Sequence, residues 1–366
     1  MSAPANAALT HEIVARLRAA GFALVGVCDA RPVDRADAFR AWLDAGHAGD
    51  MAYLAEHLDA RLDPSAMVPG AKSVVCVADR YADGAPDLRR LDGLPSGRIA
   101  RYARGRDYHQ VLRERLEPIA EQLRDRHPGE RFRVCVDTAP IAERDHAQRA
   151  GLGRVGKHTL LIGQGGAGSW LVLGAMVTTV RLAPSAPAVG DPCGACTRCI
   201  DACPTQAIEP WKVRAERCVS YLTIEHHGEP SAWFRERADD WLFGCDACIE
   251  ACPHSQPTRR SRSLPLHPAY APSRTAIDPT EALRWDAASF DALGFSEVLR
   301  RPGLDAWKRN AILLLGGARG GGASVARDAL AAFAADGSQP AHLRRLAGEM
   351  RERIQAPGAG AGSAGG

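Results

Sequence analysis

The chain has 366 residues, a net charge of +3 at neutral pH and 46% hydrophobic residues, an ordinary make-up for a globular protein of two or three domains. No stretch reaches the roughly 18 uninterrupted apolar residues of a membrane span, which excludes that class. A net charge this small singles out no partner. Basic residues are overwhelmingly Arg, with Lys only at Lys72, Lys157, Lys212 and Lys308. Arg suits bidentate phosphate contacts, although a GC-rich genome gives the same bias.

Residues 1–10 hold no Arg or Lys and no apolar signal core. Neither a secretory nor a twin-Arg export signal is expected, which points to the cytoplasm. Residues 11–20 show a helical period that ends at Gly21, and 22–27 read as a strand. Helices are predicted over 36–45 and 51–58, and a strand over 72–78. A long helix is predicted over 108–126, its start marked by Asp107. A strand over 131–136 precedes a helix over 141–150. Residues 158–162 and 170–180 read as strands around a Gly-rich turn. Residues 1–185 thus form an α/β or α+β domain, and the chain as a whole is assigned to the α+β class.

A Pro/Ala joint at 183–192 leads into a Cys-rich insert, 186–257. A second Pro-rich joint, 263–272, leads to short helical blocks at 289–293, 305–315, 324–334 and 341–354. Helices at this spacing are compatible with HEAT-like repeats over 275–355. The Gly/Ala-rich tail, 356–366, is expected to be disordered.

Of 11 Cys, eight lie between Cys193 and Cys252. In a reducing compartment clustered Cys means metal or catalysis rather than disulfides. Cys28, Cys76 and Cys135 sit in apolar, strand-like runs and read as buried small hydrophobes. Cys193-x2-Cys196-x2-Cys199-x3-Cys203-Pro204 is the bacterial ferredoxin run, whose fourth Cys ligates the other cluster. Cys245-x2-Cys248-x3-Cys252-Pro253 repeats its end, with Leu242 where a first Cys would fall. Cys218 is the spare thiol that replaces it. The crossed rule gives one [4Fe–4S] cluster to Cys193, Cys196, Cys199 and Cys252. It gives the other to Cys203, Cys218, Cys245 and Cys248. Two zinc ions, each held by four thiolates, are the alternative, and the spacing disfavours them. Two clusters make a one-electron wire, so the protein is expected to serve a reduction.

Gly151-Leu-Gly-Arg-Val-Gly156-Lys157-His158 nearly matches a P-loop. His158 stands where Ser or Thr should hold magnesium, and a helix rather than a strand precedes the run. Gly163–Gly168 repeats G-x-G-x-x-G between two predicted strands and reads as a hairpin turn, so no Rossmann site is expected. The exposed amides and Lys157 leave room for a large anionic or amide-rich cofactor. No D-x-H-x-x-G pattern is present to supply a His ligand to the cobalt of a corrinoid.

Several runs resemble the epoxyqueuosine reductase family. They are Ile99-Ala-Arg-Tyr-Ala-Arg-Gly-Arg-Asp-Tyr-His109, Val136-Asp-Thr-Ala-Pro140 with Glu143-Arg144, Ala150 to His158, and Gly168-Ser-Trp170. Cys218-Val-Ser-Tyr-Leu-Thr-Ile-Glu225, Phe243-Gly-Cys-Asp-Ala-Cys248 and Arg309-Asn310 continue the match, which spans about residues 10–320. The resemblance implies the last step of queuosine synthesis at the tRNA wobble position: removal of the epoxide oxygen with two electrons and two protons. It implies base-off cobalamin, reduced to cob(I)alamin by two [4Fe–4S] clusters. It also implies an N-terminal fold similar to reductive dehalogenases and C-terminal HEAT-like helices that help hold tRNA.

Opening an epoxide builds negative charge on oxygen, which an acid must protonate. The resemblance assigns that role, and a cobalamin contact, to Asp137, which is then expected in a partly apolar pocket that raises its pKa. Its bland alternative is a helix cap near Pro140. The resemblance places Arg61, Lys157, His158, Ser220, Cys245 and Asp246 near the cobalamin. A helix-end cation is the alternative for Arg61, and local packing for Ser220, Cys245 and Asp246. Some family members carry a Cys near position 100, where this chain has Ala100 and no thiol. The expected partners are a tRNA with a queuosine-type anticodon and a low-potential electron donor, with no membrane and the protein a monomer. Residues 258–354 hold about 15 Arg/Lys against about 10 Asp/Glu, a modest excess suited to phosphates. Arg259-Arg260-Ser-Arg262 and Arg300-Arg301 are its small basic clusters, and such faces are commonly just solvated. The rival readings are a cobalamin-dependent reductive dehalogenase, an electron-carrier module and a tRNA-binding protein with structural clusters.

Overall fold

The computed structural model describes residues 6–87, 90–237 and 240–355; the tail expected to be disordered lies outside them. The chain divides into two compact units. The first takes the N-terminal residues up to Pro86, Arg101–Cys218 and Asp246–Ser273. The second takes Asp87–Ala100, Val219–Cys245 and the residues from Arg274 on. The Cys-rich segment read from the sequence therefore contributes to both units. Among the described residues no helix is long and apolar enough to cross a membrane.

In the first unit, helix α1 (Ala7–Ala19) leads to β1 (Leu24–Asp29) and then β2 (Ser73–Arg80). Helix α2 (Tyr108–Arg126), β3 (Phe132–Cys135) and α3 (Glu143–Arg149) follow. Strands β4 (Gly153–Val155), β5 (Leu161–Gly163) and β6 (Leu171–Thr178) complete it. The main sheet runs β1-β2-β6-β3, every pair antiparallel. All eight residues of β2 are buried, because both faces of the sheet are covered. Val75 and Val77 join Ile13, Leu17, Leu112, Leu116 and Leu123 in one core. Val74, Cys76 and Ala78 point the other way, towards Ile141, Ala147 and Leu152. That alternation is the two-residue period of a strand buried on both sides. Cys28, Cys76 and Cys135 are at most 3% exposed within this second core, as expected of small hydrophobes.

Gly26 fixes how closely α3 approaches β1. A Cβ there would lie 2.0 Å from the carbonyl oxygen of Ala150, so only glycine admits the contact.

The predicted hairpin at Gly163–Gly168 needs correction. β5 pairs with β4, and β6 joins the main sheet; Gly163 and Gly168 meet only at a single bridge. A three-residue strand such as β4 is too short to show a period, which is why it escaped notice. The β4–β5 turn carries Lys157 and His158. The helix predicted over 51–58 is broken into Tyr53–Glu56 and Leu58–Leu62, with His57 at a non-helical φ of −121° between them.

In the second unit, α4 (Val219–Ile224) and the strand Trp241–Phe243 pack on α5 (Gly303–Leu315), which is followed by α6 (Gly322–Ala335) and α7 (Ala341–Gln355). Trp307 on α5 is fully buried among Phe243, Trp285 and Phe295. Beside it, Arg309 Nη2 donates to the Leu222 carbonyl at 2.7 Å, and Asn310 Nδ2 donates to those of Thr223 and Leu242 at 2.9 and 3.1 Å. A buried amide must find acceptors, and here it finds them on the segment between the two Cys runs. The Arg309-Asn310 pair thereby ties that segment to the C-terminal helices.

Candidate functional site

Asp107 starts the site. As N-cap of α2 it accepts the His109 N–H at 2.9 Å, and the same Oδ1 holds His109 Nδ1 at 2.8 Å. The imidazole is thereby fixed in rotation, and its Nε2 reaches Asp137 Oδ2 at 3.0 Å. The Tyr108 hydroxyl donates to the same oxygen at 2.9 Å, and its ring stacks on His109 with centroids 4.0 Å apart. Burial alone would lower the His109 pKa, but the hydrogen bonds and charges of Asp107 and Asp137 raise it to about 9. At neutral pH His109 is therefore an imidazolium with one N–H on each carboxylate.

Asp137 lies two residues beyond β3, with φ of +47°. Left-handed backbone at a non-glycine residue is uncommon, although Asp tolerates it better than most. Its N–H donates to Glu143 Oε1 at 2.8 Å, which holds the turn. Helix α3 begins at Glu143 with Ala142 as an N-cap that has no side-chain bond, so Asp137 is not a helix cap. The partly apolar pocket expected around Asp137 is not what the fold supplies. Its side chain is 52% exposed and is held by two donors.

The desolvated acid is Glu143. Burial, then the charge of Asp137, pushes its pKa up to about 8. Both Glu143 and His109 thus have native pKa values above their ordinary values of 4.5 and 6.5. The stability they contribute is complete below those ordinary values and is lost as pH rises through about 8 and about 9. Glu143→Gln retains the acceptor for the Asp137 N–H and removes one of the two losses. Its melting temperature should therefore fall less than that of the wild type between about pH 7 and about pH 9. Parallel curves for the two proteins would show that Glu143 is not protonated in the native state.

Arg61, on Leu58–Leu62, is half-buried, and its Nε has no hydrogen-bond partner. Burial lowers its pKa, while the charges of Tyr53, Glu143 and Asp137 act against that, so it lies within reach of both carboxylates. An orphaned guanidinium nitrogen beside an exposed carboxylate is a place for a polar ligand. His158 is turned inward at 4% exposure: Nδ1 accepts the Leu160 N–H at 3.1 Å, and Nε2 lies 3.4 Å from Ser169 Oγ. Burial, then the nearby Arg144 and His254, pulls its pKa down to about 4. The Lys157 ammonium is engaged by the carbonyls of Gly194 and Cys196 at 2.7 and 3.0 Å. Asp246 is 2% exposed and accepts the Arg101 N–H at 2.7 Å; burial raises its pKa to about 6. Ser220 and Cys245 fall in the second unit.

The thiols of the first unit gather in two groups. Burial raises the Cys199 pKa, and Cys252, Cys193 and Cys196 all lie near enough to act on it. Cys248, raised first by burial, feels Cys218 and Cys203 and, after them, Cys199. Backbone N–H groups of Lys157 and Ala207 point at Cys193 Sγ and Cys203 Sγ, at 3.4 and 3.3 Å. Hydrogen bonds of this kind stabilise cluster thiolates. Among the described residues no group of three or more His, Cys, Asp or Glu closes round a single ion. A four-iron cube holds its thiolates farther apart than one zinc ion does.

Tyr108, His109 and Glu143 stand in the motifs quoted from the sequence, yet nothing in it assigned them to the site. Their link to Asp137 spans up to 29 residues of chain and exists only in the fold. The basic clusters also separate: Arg259–Arg262 lies in the first unit, whereas Arg300 and Arg301 lie in the second, paired with Asp291 and Glu225.

Comparison with known proteins converges on one family. A family model described as epoxyqueuosine reductase QueG, DUF1730, matches residues 61–138. A 4Fe-4S double cluster binding domain matches 192–255, so the Cys-rich segment is an iron–sulfur domain rather than a zinc one. The epoxyqueuosine reductase of Xanthomonas campestris is 39% identical over 87% of this chain and 88% of its own length. A crystal structure of an epoxyqueuosine reductase with an epoxyqueuosine-modified tRNA-Tyr stem loop superposes with a TM-score of 0.83 at 28% identity, covering 96% of this chain and 91% of that one. The Bacillus subtilis enzyme, solved with its catalytic aspartate loop swung out of the active site, gives 0.82 at 27% identity over 95% and 90%. This chain belongs to the epoxyqueuosine reductase family.

Proposed function

We propose that the protein reduces epoxyqueuosine to queuosine in tRNA, with base-off cobalamin and two [4Fe–4S] clusters, in the cytoplasm where tRNA is found. The observation that carries this reading is Asp137, half exposed and hydrogen-bonded to a histidine whose pKa the two flanking carboxylates raise. Reduction of an epoxide consumes two electrons and two protons and releases water. An electron carrier or an RNA-binding module with structural clusters would have no use for such a site.

Cobalamin, when bound in its reduced state, supplies the two electrons. His109 passes its Nε2 proton to Asp137 Oδ2, Asp137 hands it to the departing oxygen, and the second proton follows from solvent by the same relay, so that the oxygen leaves as water. Asp107 holds the other ring nitrogen, so His109 keeps its orientation as the proton moves. Glu143 anchors the Asp137 backbone, which keeps the carboxylate on the substrate side. The aspartate loop reported for the B. subtilis relative supports a mobile acid in the same role. Arg61, Asp137, Lys157, His158, Ser220, Cys245 and Asp246 make up the proposed cobalamin surroundings. The orphaned Arg61 Nε suits an amide or phosphate oxygen of that cofactor. Cys193, Cys196, Cys199 and Cys252 hold one cluster, and Cys203, Cys218, Cys245 and Cys248 the other.

The test is an anaerobic conversion. Iron-reconstituted protein with cobalamin and a strong reductant is given an epoxyqueuosine-containing anticodon stem loop, and the nucleosides are read by mass spectrometry. Loss of one oxygen, dependent on cobalamin, is expected. Intact stem loop in the presence of bound cobalamin and both clusters would refute the reading.

A further inference from the structure

Lys157 is 7% exposed, and its ammonium is spent on the loop that carries two cluster ligands. Nζ donates to the carbonyls of Gly194 and Cys196, its backbone N–H points at Cys193 Sγ, and its carbonyl accepts the Trp211 N–H at 3.1 Å. The Trp211 ring, 5.6 Å from Nζ, covers the charge. Among the described residues no carboxylate pairs with the ammonium; Asp191 accepts the N–H groups of Cys193 and Gly194, at 2.8 and 3.1 Å, on the same turn. An ammonium shielded from water and without a paired anion is a fixed positive charge. It holds the Cys193–Cys196 turn by two carbonyls, and the backbone N–H of the same residue points at the Cys193 sulfur.

We propose that Lys157 is a positioning residue for electron transfer: its charge raises the reduction potential of the cluster held by Cys193, Cys196, Cys199 and Cys252, and leaves the other cluster unaffected. The inference rests on that ligand set, taken from the proposed function. Adding an electron to a cluster already surrounded by four thiolates is opposed by their charge, and a nearby cation in a low-dielectric site offsets that opposition. The three acceptors here, Cys193 Sγ and the carbonyls of Gly194 and Cys196, lie on the two ligands or next to one of them, so the charge sits against the ligand loop itself.

The experiment is an EPR-monitored redox titration of wild type, Lys157→Arg and Lys157→Gln as reconstituted full-length proteins. Cys196→Ala identifies which signal belongs to the Lys157-side cluster. Lys157→Gln keeps a donor for the carbonyls and removes the charge. At a fixed potential its Lys157-side cluster should be about tenfold less reduced, a shift of about −59 mV for a one-electron couple. Lys157→Arg should stay near the wild type. Two unshifted clusters with full iron content would overturn the proposal while leaving the ligand set standing. A shift in the signal that Cys196→Ala retains would overturn both. Loss of the cluster in Lys157→Gln but not in Lys157→Arg would make Lys157 an assembly clamp and overturn the tuning role.

Discussion

Asp137→Asn is expected to slow single-turnover reduction of an epoxyqueuosine stem loop by about 10²–10⁴-fold, the usual contribution of a positioned general acid. Asn preserves the size of the side chain and an oxygen that can accept from Tyr108 and His109. It cannot carry a proton to the departing oxygen. Cobalamin binding, read by absorbance, and stem-loop binding, read by titration, should therefore stay near wild-type values while the chemical step fails. The fully formed network around the residue makes this a clean substitution. Tyr108 and His109 each donate to Asp137, and Glu143 holds its backbone, so the turn at φ +47° has support besides the carboxylate itself. Near-normal turnover would mean that His109 or water protonates the substrate directly and that Asp137 is a scaffold for His109. Loss of cobalamin binding would instead mean that the Asp137 carboxylate, beyond lying beside the cofactor, is needed to hold it.

Much of this was legible in the chain, and the exceptions share a physical cause. Helix α2 was predicted over its full length because a long amphipathic period and a capping Asp107 are both local signals. The eight clustered Cys were legible because cluster spacing is itself a local constraint. Asp137 stood out only through its family motif, and its surroundings were misjudged. The sequence suggested a raised pKa at Asp137, whereas the fold desolvates Glu143, six residues on, and leaves Asp137 at the surface. No periodicity encodes which of two nearby carboxylates is buried. The same limit hid the partner of Lys157: its motif position fits a ligand loop, but the carbonyls it reaches lie 37 and 39 residues away. The make-up of the second unit was hidden too, since contacts such as those from Asn310 back to Thr223 and Leu242 join residues 68 and 87 positions apart. A positive φ at a non-glycine residue leaves no trace in composition at all.

Cys252→Ala is expected to abolish one cluster and spare the other. Three of the thiols concerned, Cys193, Cys196 and Cys199, come from the first Cys run, and Cys252 comes from the far end of the second. If clusters were held run by run, removing Cys252 would damage the group around Cys245 and Cys248. The fold argues otherwise: Cys252 is the neighbouring thiol that acts most strongly on Cys199, whereas Cys248 feels Cys218 and Cys203 more strongly than Cys199. Reconstituted Cys252→Ala should hold roughly four of roughly eight iron atoms. Its remaining EPR signal should be the one that Cys245→Ala destroys. Because Cys252 is nearly buried and Ala is smaller, the loss of a packed sulfur adds only a small cavity, and the protein should still fold. Reduction of bound cobalamin by an external donor should then fail or slow sharply, since a wire with one cluster missing must bridge the gap in a single step. Survival of the Cys245-dependent signal alone would establish the crossed arrangement. Loss of that signal, with the Cys193-side cluster intact, would mean that each Cys run binds its own cluster, and Cys218 would need a different role.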